Sequence, residues 1–161
     1  MIIRIPTSLS KKTRISTEKA IPLNKNTFCD WSVQAFKINH SSFLLITNSC
    51  SLYSVTANAK EISDTKKFTL KIKDSIKKQL CEDDLEDYYT KFIEPYWDDM
   101  IFATSLDRST ISYMQSMIKK LKMLGERGVA LNQLSKLATT YPIKSKDFKE
   151  PIEIFKEMKN N

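Results

Sequence analysis

Residues 31–55, WSVQAFKINHSSFLLITNSCSLYSV, are the one part of this chain where apolar side chains crowd together with the two-residue period of a strand. Trp31, Val33 and Ala35 fall on one side of that repeat, and Phe36 and Ile38 on the other. Phe43–Ile46 is a solid apolar run, and Leu52, Tyr53 and Val55 form a third apolar group. The links between them, 39–42 and 47–51, are short and rich in Asn and Ser, whose side chains bond back to the local backbone and stabilise turns. The pattern predicts an antiparallel meander over 31–56. Its middle strand is apolar throughout, which predicts a central position with helices against at least one face.

The rest of the chain supplies candidates for those helices and for further strands. Met1–Ile5 reads as a short strand ended by Pro6, which cannot donate to a ladder, and Ser8–Thr13 as a helical turn. Phe68, Ile72, Ile76 and Leu80 recur every fourth residue and predict a helix over 67–81. A new helix start is expected at Asp83 or Asp84, with the acids 82–87 as caps and a solvated face and Pro95 as the end. A strand over 99–104 follows. The longest helix opens at Asp107 or Ser109, carries Ile111, Met114, Ile118 and Leu121, and stops at Gly125. A short helix holds Leu131, Leu134, Leu137 and Ala138, and Pro151 opens a last one. The expected fold is α+β, one domain over 1–161, with an antiparallel sheet of about four to five strands packed against about five helices. Trp31, Phe43, Leu45, Ile101, Ile111, Met114 and Ile118 are expected together in one sheet-on-helix core.

Charge is distributed in blocks. Residues 1–28 carry six bases against one acid, 81–100 eight acids against one base, and 117–149 eight bases against two acids, within a net charge of +7. A basic pole of this kind suits nucleic acid or an acidic protein surface. Three cysteines without CxxC or Cys/His spacing signal neither a disulfide framework nor zinc, and the single histidine, His40, falls in a turn. No metal or cofactor is expected. The N-terminal apolar stretch is too short for a secretory signal, and no run approaches the roughly 18 residues of a membrane span. A cytoplasmic protein without membrane contact is expected.

Three segments, taken together, resemble a small bacterial family catalogued as domain of unknown function 6933. The first is Asp30-Trp31 leading into FLLITNSCSLYSV. The second is ATSLDRSTISYMQSM, with Thr104, Asp107, Arg108, Ser109 and Met114 in a strand-to-helix element. The third is LSKLATTYPIKSKDFKEP, with Leu134, Leu137, Pro142, Phe148 and Pro151. Ser32 stands where that family is expected to carry His, and Ser112, Tyr113 and Gln115 replace a Gly-Ser-Met-Asn-like run. The resemblance implies the fold and brings no activity with it.

No phosphate-cradling Gly loop, HExxH, GxSxG or CxxC pair occurs, and two glycines in 161 residues leave little room for one. The first reading is a binding module acting through an acidic protein partner or nucleic acid, at a basic surface of Lys119, Lys120, Lys122, Arg127 and Lys136. The alternative is a small hydrolase or nuclease-like enzyme. There Arg108 and Ser109 would bind an anion at a helix start, with carboxylates from Asp98, Asp99 or Asp107 nearby.

Overall fold

In the computed structural model the described residues are 1–161 without Ala20, Glu61, Ser63, Leu106 and Asn161, and without the side chain of Asn160. They form β1 (Ile2–Ile5), α1 (Thr7–Thr13), β2 (Asp30–Ile38), β3 (Ser41–Asn48), β4 (Ser54–Asn58), α2 (Thr65–Glu82), α3 (Glu86–Phe92), β5 (Ile101–Thr104), α4 (Arg108–Glu126), α5 (Leu131–Thr140) and α6 (Pro151–Glu157). This is an α+β arrangement of one five-stranded open sheet and, among the described residues, six α-helices.

The meander is present. β2, β3 and β4 pair antiparallel in sequence order. Asn39 closes the first hairpin at φ 52, a left-handed conformation that Asn tolerates. Asn48 shapes the second link, its side-chain oxygen accepting from the backbone N–H of Cys50 and Ser51 and from the Ser51 hydroxyl.

The sheet order is β4-β3-β2-β1-β5, and β1 runs parallel to both its neighbours. The sheet is therefore mixed, not purely antiparallel, and its middle strand is β2 with β3 beside it. A two-residue period identifies a strand but not its direction; the crossovers between β1 and β2 and between β4 and β5 are long enough for parallel pairing. All four residues of β1 are buried, as a strand covered on both faces must be. At the other edge the Ser135 hydroxyl of α5 takes the Thr56 N–H at 3.0 Å, so β4 does not offer that donor to another chain.

Helices cover both faces, which corrects the expected single core. On one face Phe68, Ile72, Ile76 and Leu80 of α2 and Phe155 of α6 pack with Trp31, Val33, Leu44, Ile46 and Tyr53. On the other, Met114, Met117 and Leu121 of α4 and Leu134 and Ala138 of α5 pack with Phe36, Ile38 and Leu45. Leu45 lies between Leu44 and Ile46 in sequence, and alternation sends it to the opposite side. Trp31, Leu45 and Met114 are fully buried, whereas Phe43, Ile101, Ile111 and Ile118 are only half-buried. Ile101 lies on an edge strand, whose outer flank, among the described residues, is paired only by the single bridge of Glu18 to Ala103.

Three element ends move. β5 begins at 101, not 99. α4 begins at Arg108 with Asp107 as its cap, and it runs through Gly125 to Glu126. A Cβ on Gly125 would sit 2.5 Å from Ile38 Cδ1, so this glycine lets α4 close on β2 rather than ending the helix. α3 begins at Glu86, and Asp83 instead ends α2.

Candidate functional site

Two buried polar networks hold the architecture. Arg4, 1% exposed in the middle of β1, sends Nε and Nη2 to the two carboxylate oxygens of Asp30 at 2.8 Å each, and Asp30 is fully buried. The remaining guanidinium donors reach the carbonyls of Ile21, Pro22 and Thr104. Asp30 also accepts from Ser49 Oγ at 2.7 Å and from the Asn24 N–H at 3.0 Å. The fork is saturated, so it ties β1, β2, the end of β5 and the 21–24 loop together and leaves nothing for a ligand.

The second network takes Asp83 out of the expected solvated face of acids, while Glu82, Asp84, Glu86 and Asp87 are exposed as expected. Asp83 is 6% exposed and accepts from the Tyr53 hydroxyl at 2.7 Å, Gln79 Nε2 at 3.2 Å and Lys136 Nζ at 2.8 Å. Burial first, then the neighbouring Asp83 charge, raises the Tyr53 hydroxyl well above its ordinary range. The hydrogen bond to Asp83 likewise raises Lys136. Lys136 thus pairs with α2 and does not join the basic surface of α4. The sequence signal was there in principle: a carboxylate at a helix end with Gln79 one turn earlier.

The candidate site is a cleft of about 1020 Å3 between α4 and the segment 141–148. One wall is a stripe of α4, Ser109, Ser112, Tyr113, Ser116 and Lys120; the other is Tyr141, Pro142, Ile143, Lys144, Ser145 and Phe148. Among the described residues no acidic side chain lines it. Lys120 Nζ lies 3.2 Å from the centre of the Tyr141 ring. Phe148 is 67% exposed, the most exposed large apolar side chain among the described residues. Asp147 and Phe148 adopt φ 54 and 60 in succession. Left-handed backbone costs a non-glycine residue roughly 1–2 kcal/mol, and the fold sustains it twice to hold this ring outward. Backbone bonds from Phe148 N to Ile143 O and from Ile143 N to Lys149 O fix the loop. At the cleft floor the Tyr113 hydroxyl is shut off from solvent and points toward Ser54 without a hydrogen bond of normal geometry. Burial pushes that hydroxyl up to about 12.

Of the residues singled out from sequence, Ser109 and Lys120 lie in the cleft wall. Lys119 and Arg127 are exposed and Lys122 half-buried on α4 outside it, and none of these four cations is in an ion pair among the described residues. Arg108 is exposed and likewise has no carboxylate partner there; Asp98 and Asp99 are exposed in the approach to β5. Among the described residues Arg108 forms no ion pair with Asp98, Asp99 or Asp107. Asp107 caps α4, accepting from the N–H groups of Ser109 and Thr110 at 3.0 Å each and from both hydroxyls. The hydrogen bonds from Ser109, then those from Thr110, lower its carboxyl to about 2. Burial first, and Asp30 after it, raises the Cys50 thiol, and burial pushes Cys29 up to about 11, so neither is an activated nucleophile. Among the described residues no group of three His, Cys, Asp or Glu side chains could hold a metal ion, and no helix is long and apolar enough to cross a membrane.

The cap carries a prediction. Asp107→Ala costs about 0.5–2 kcal/mol by chemical denaturation at neutral pH, whereas Arg108→Ala stays within about 0.5 kcal/mol. Because the folded carboxyl lies below its unfolded value, the Asp107 contribution is complete above the ordinary carboxylate range and is lost as pH falls toward about 2. The difference between wild type and Asp107→Ala must therefore shrink over that acid window. A constant difference down to the lowest pH would refute the assignment.

The family described as Domain of unknown function (DUF6933) matches residues 2–154 of the chain. The chain belongs to that family. No curated protein and no solved structure matches it. The three segments that resemble the family fall at different places in the fold. Asp30 and Trp31 enter β2; Thr104, Arg108, Ser109 and Met114 run from β5 into α4; and Pro142 and Phe148 form the opposite wall.

Proposed function

We propose that this member of the family is a binding module that takes an anionic partner, a nucleic acid or an acidic protein surface, at the cleft between α4 and residues 141–148. The observation that carries the reading is the cleft's composition: Lys120 and Lys144 with exposed aromatic rings, no lining carboxylate, and unpaired Lys119, Lys122 and Arg127 along the same helix. Cations free of intramolecular partners keep their full attraction for an external anion. The acids of 82–87 lie elsewhere, on the α2 and α3 side. Three free cysteines fit the reducing cytoplasm, where we place the protein.

The test is binding of labelled heparin, DNA and polyglutamate at about 50 mM salt, where phosphate-type contacts are strongest. Charge reversal at Lys120 and Lys144 should weaken binding at least tenfold and flatten its salt dependence, while reversal at Lys66 and Lys67 of α2 should do neither. Failure of all three probes to bind, or equal effects from both pairs, would sink the proposal.

A further inference from the structure

Resting on the reading of the cleft as an anion-binding site, we propose that its partner is single-stranded nucleic acid, with a base stacked on Phe148 and the strand's phosphates tracked along α4. Sequence-tolerant recognition of a single strand needs flat apolar faces beside a row of cations, because every base has a π-face and every link a charge. The cleft offers that pair of elements. Phe148 presents a 67% exposed ring, and the loop's own backbone bonds fix the main chain that carries it before any partner arrives. A preformed platform loses little freedom on binding.

The cations of the cleft itself are Lys120 on α4 and Lys144 on the opposite wall. At roughly 3.6 residues per turn Arg127, the C-cap of α4, falls near the Lys120 stripe, whereas Lys119 and Lys122 fall on other sides of the helix. The helix itself is about 28 Å long at 1.5 Å per residue, room for several nucleotides. Serine hydroxyls at 112 and 116 continue the Lys120 stripe toward the helix start and can donate to phosphate oxygens or base edges, whereas the Ser109 hydroxyl is committed to Asp107. A duplex hides its base faces in the stack and would gain nothing from Phe148. An acidic peptide would satisfy the lysines, yet it has no systematic use for an exposed ring.

The test uses the full chain and fluorescence anisotropy with four labelled probes: oligothymidylate and oligouridylate of roughly 12 nucleotides, the matching DNA duplex, and polyglutamate. Either single strand should bind more tightly than duplex and polyglutamate, with a log-log salt slope of about −1.4 to −2 for two to three phosphates at about 0.7 each. Phe148→Ala should weaken single-strand binding roughly tenfold or more without changing the slope, since it removes a stacking face and no charge. Phe148→Leu, which keeps apolar bulk but no ring, should weaken it comparably. Lys120→Ser with Lys144→Ser should instead flatten the slope by about 1.4. Thermal melts of each variant check folding, and the exposure of Phe148 predicts an unchanged midpoint for its two variants. If duplex or polyglutamate binds as well as the single strands, or Phe148→Ala and Phe148→Leu bind like wild type, the single-strand inference is overturned while the anionic reading stands. If no probe binds, both fall.

Discussion

Asp30→Ala should lower the unfolding free energy by about 3–5 kcal/mol, because it leaves the Arg4 guanidinium buried without its counter-charge. That is a large share of the roughly 5–15 kcal/mol that holds a domain together. The magnitude follows from burial: the two side chains are 1% and 0% exposed, so water cannot replace the lost partner. The exposed pair Lys78–Glu82, with side chains 78% and 47% exposed, sets the contrast, and breaking it should change stability by less than about 1 kcal/mol. Removing both charges together, Arg4→Met with Asp30→Leu, should recover much of the loss, since the cost of one orphaned charge then disappears. Urea denaturation of the three variants measures this. A loss under about 1 kcal/mol for Asp30→Ala would mean that solvent reaches Arg4 and that the fork does not lock β1 into the sheet.

Leu45→Ala should cost about 2–5 kcal/mol, the lost transfer free energy plus a cavity beneath α4. Leu45 is fully buried against the face packed by Met114, Met117 and Leu121, with one strand paired on either side of it to resist collapse. Its sequence neighbour Ile46 is equally buried on the other face, with the α2 residues. Ile46→Ala should therefore destabilise by a similar amount, though it opens a different cavity. Ile111→Ala, at a half-buried position of α4, should cost visibly less. If Leu45→Ala falls below about 0.5 kcal/mol, the second core does not exist as described.

Much of the fold was legible because it depends on short-range pattern. The period of two over 31–55 and the turn chemistry of Asn39 and Asn48 specify the meander, and the fourfold spacing of Phe68, Ile72, Ile76 and Leu80 specifies α2. Part of the site was legible too. Ser109 and Lys120 were identified from the helix that carries them, and both reach the cleft. Phe148 stands out in the sequence only through the family resemblance, because exposure at a left-handed position leaves no periodic trace.

The sequence by itself determined which segments are strands and helices, a helix start at Asp107 or Ser109 and the separation of acidic from basic blocks, since these follow from residues within one or two turns of each other. The tertiary structure alone decided the direction of β1, the division of Leu45 and Ile46 between two cores, and the pairing of Arg4 with Asp30 and of Asp83 with Lys136. It also set Lys120 and Phe148 on facing walls of one cleft. Those relations join residues 26 and more positions apart, and no local period encodes them: they arise only when both faces of one sheet must be covered and each buried charge must find its partner.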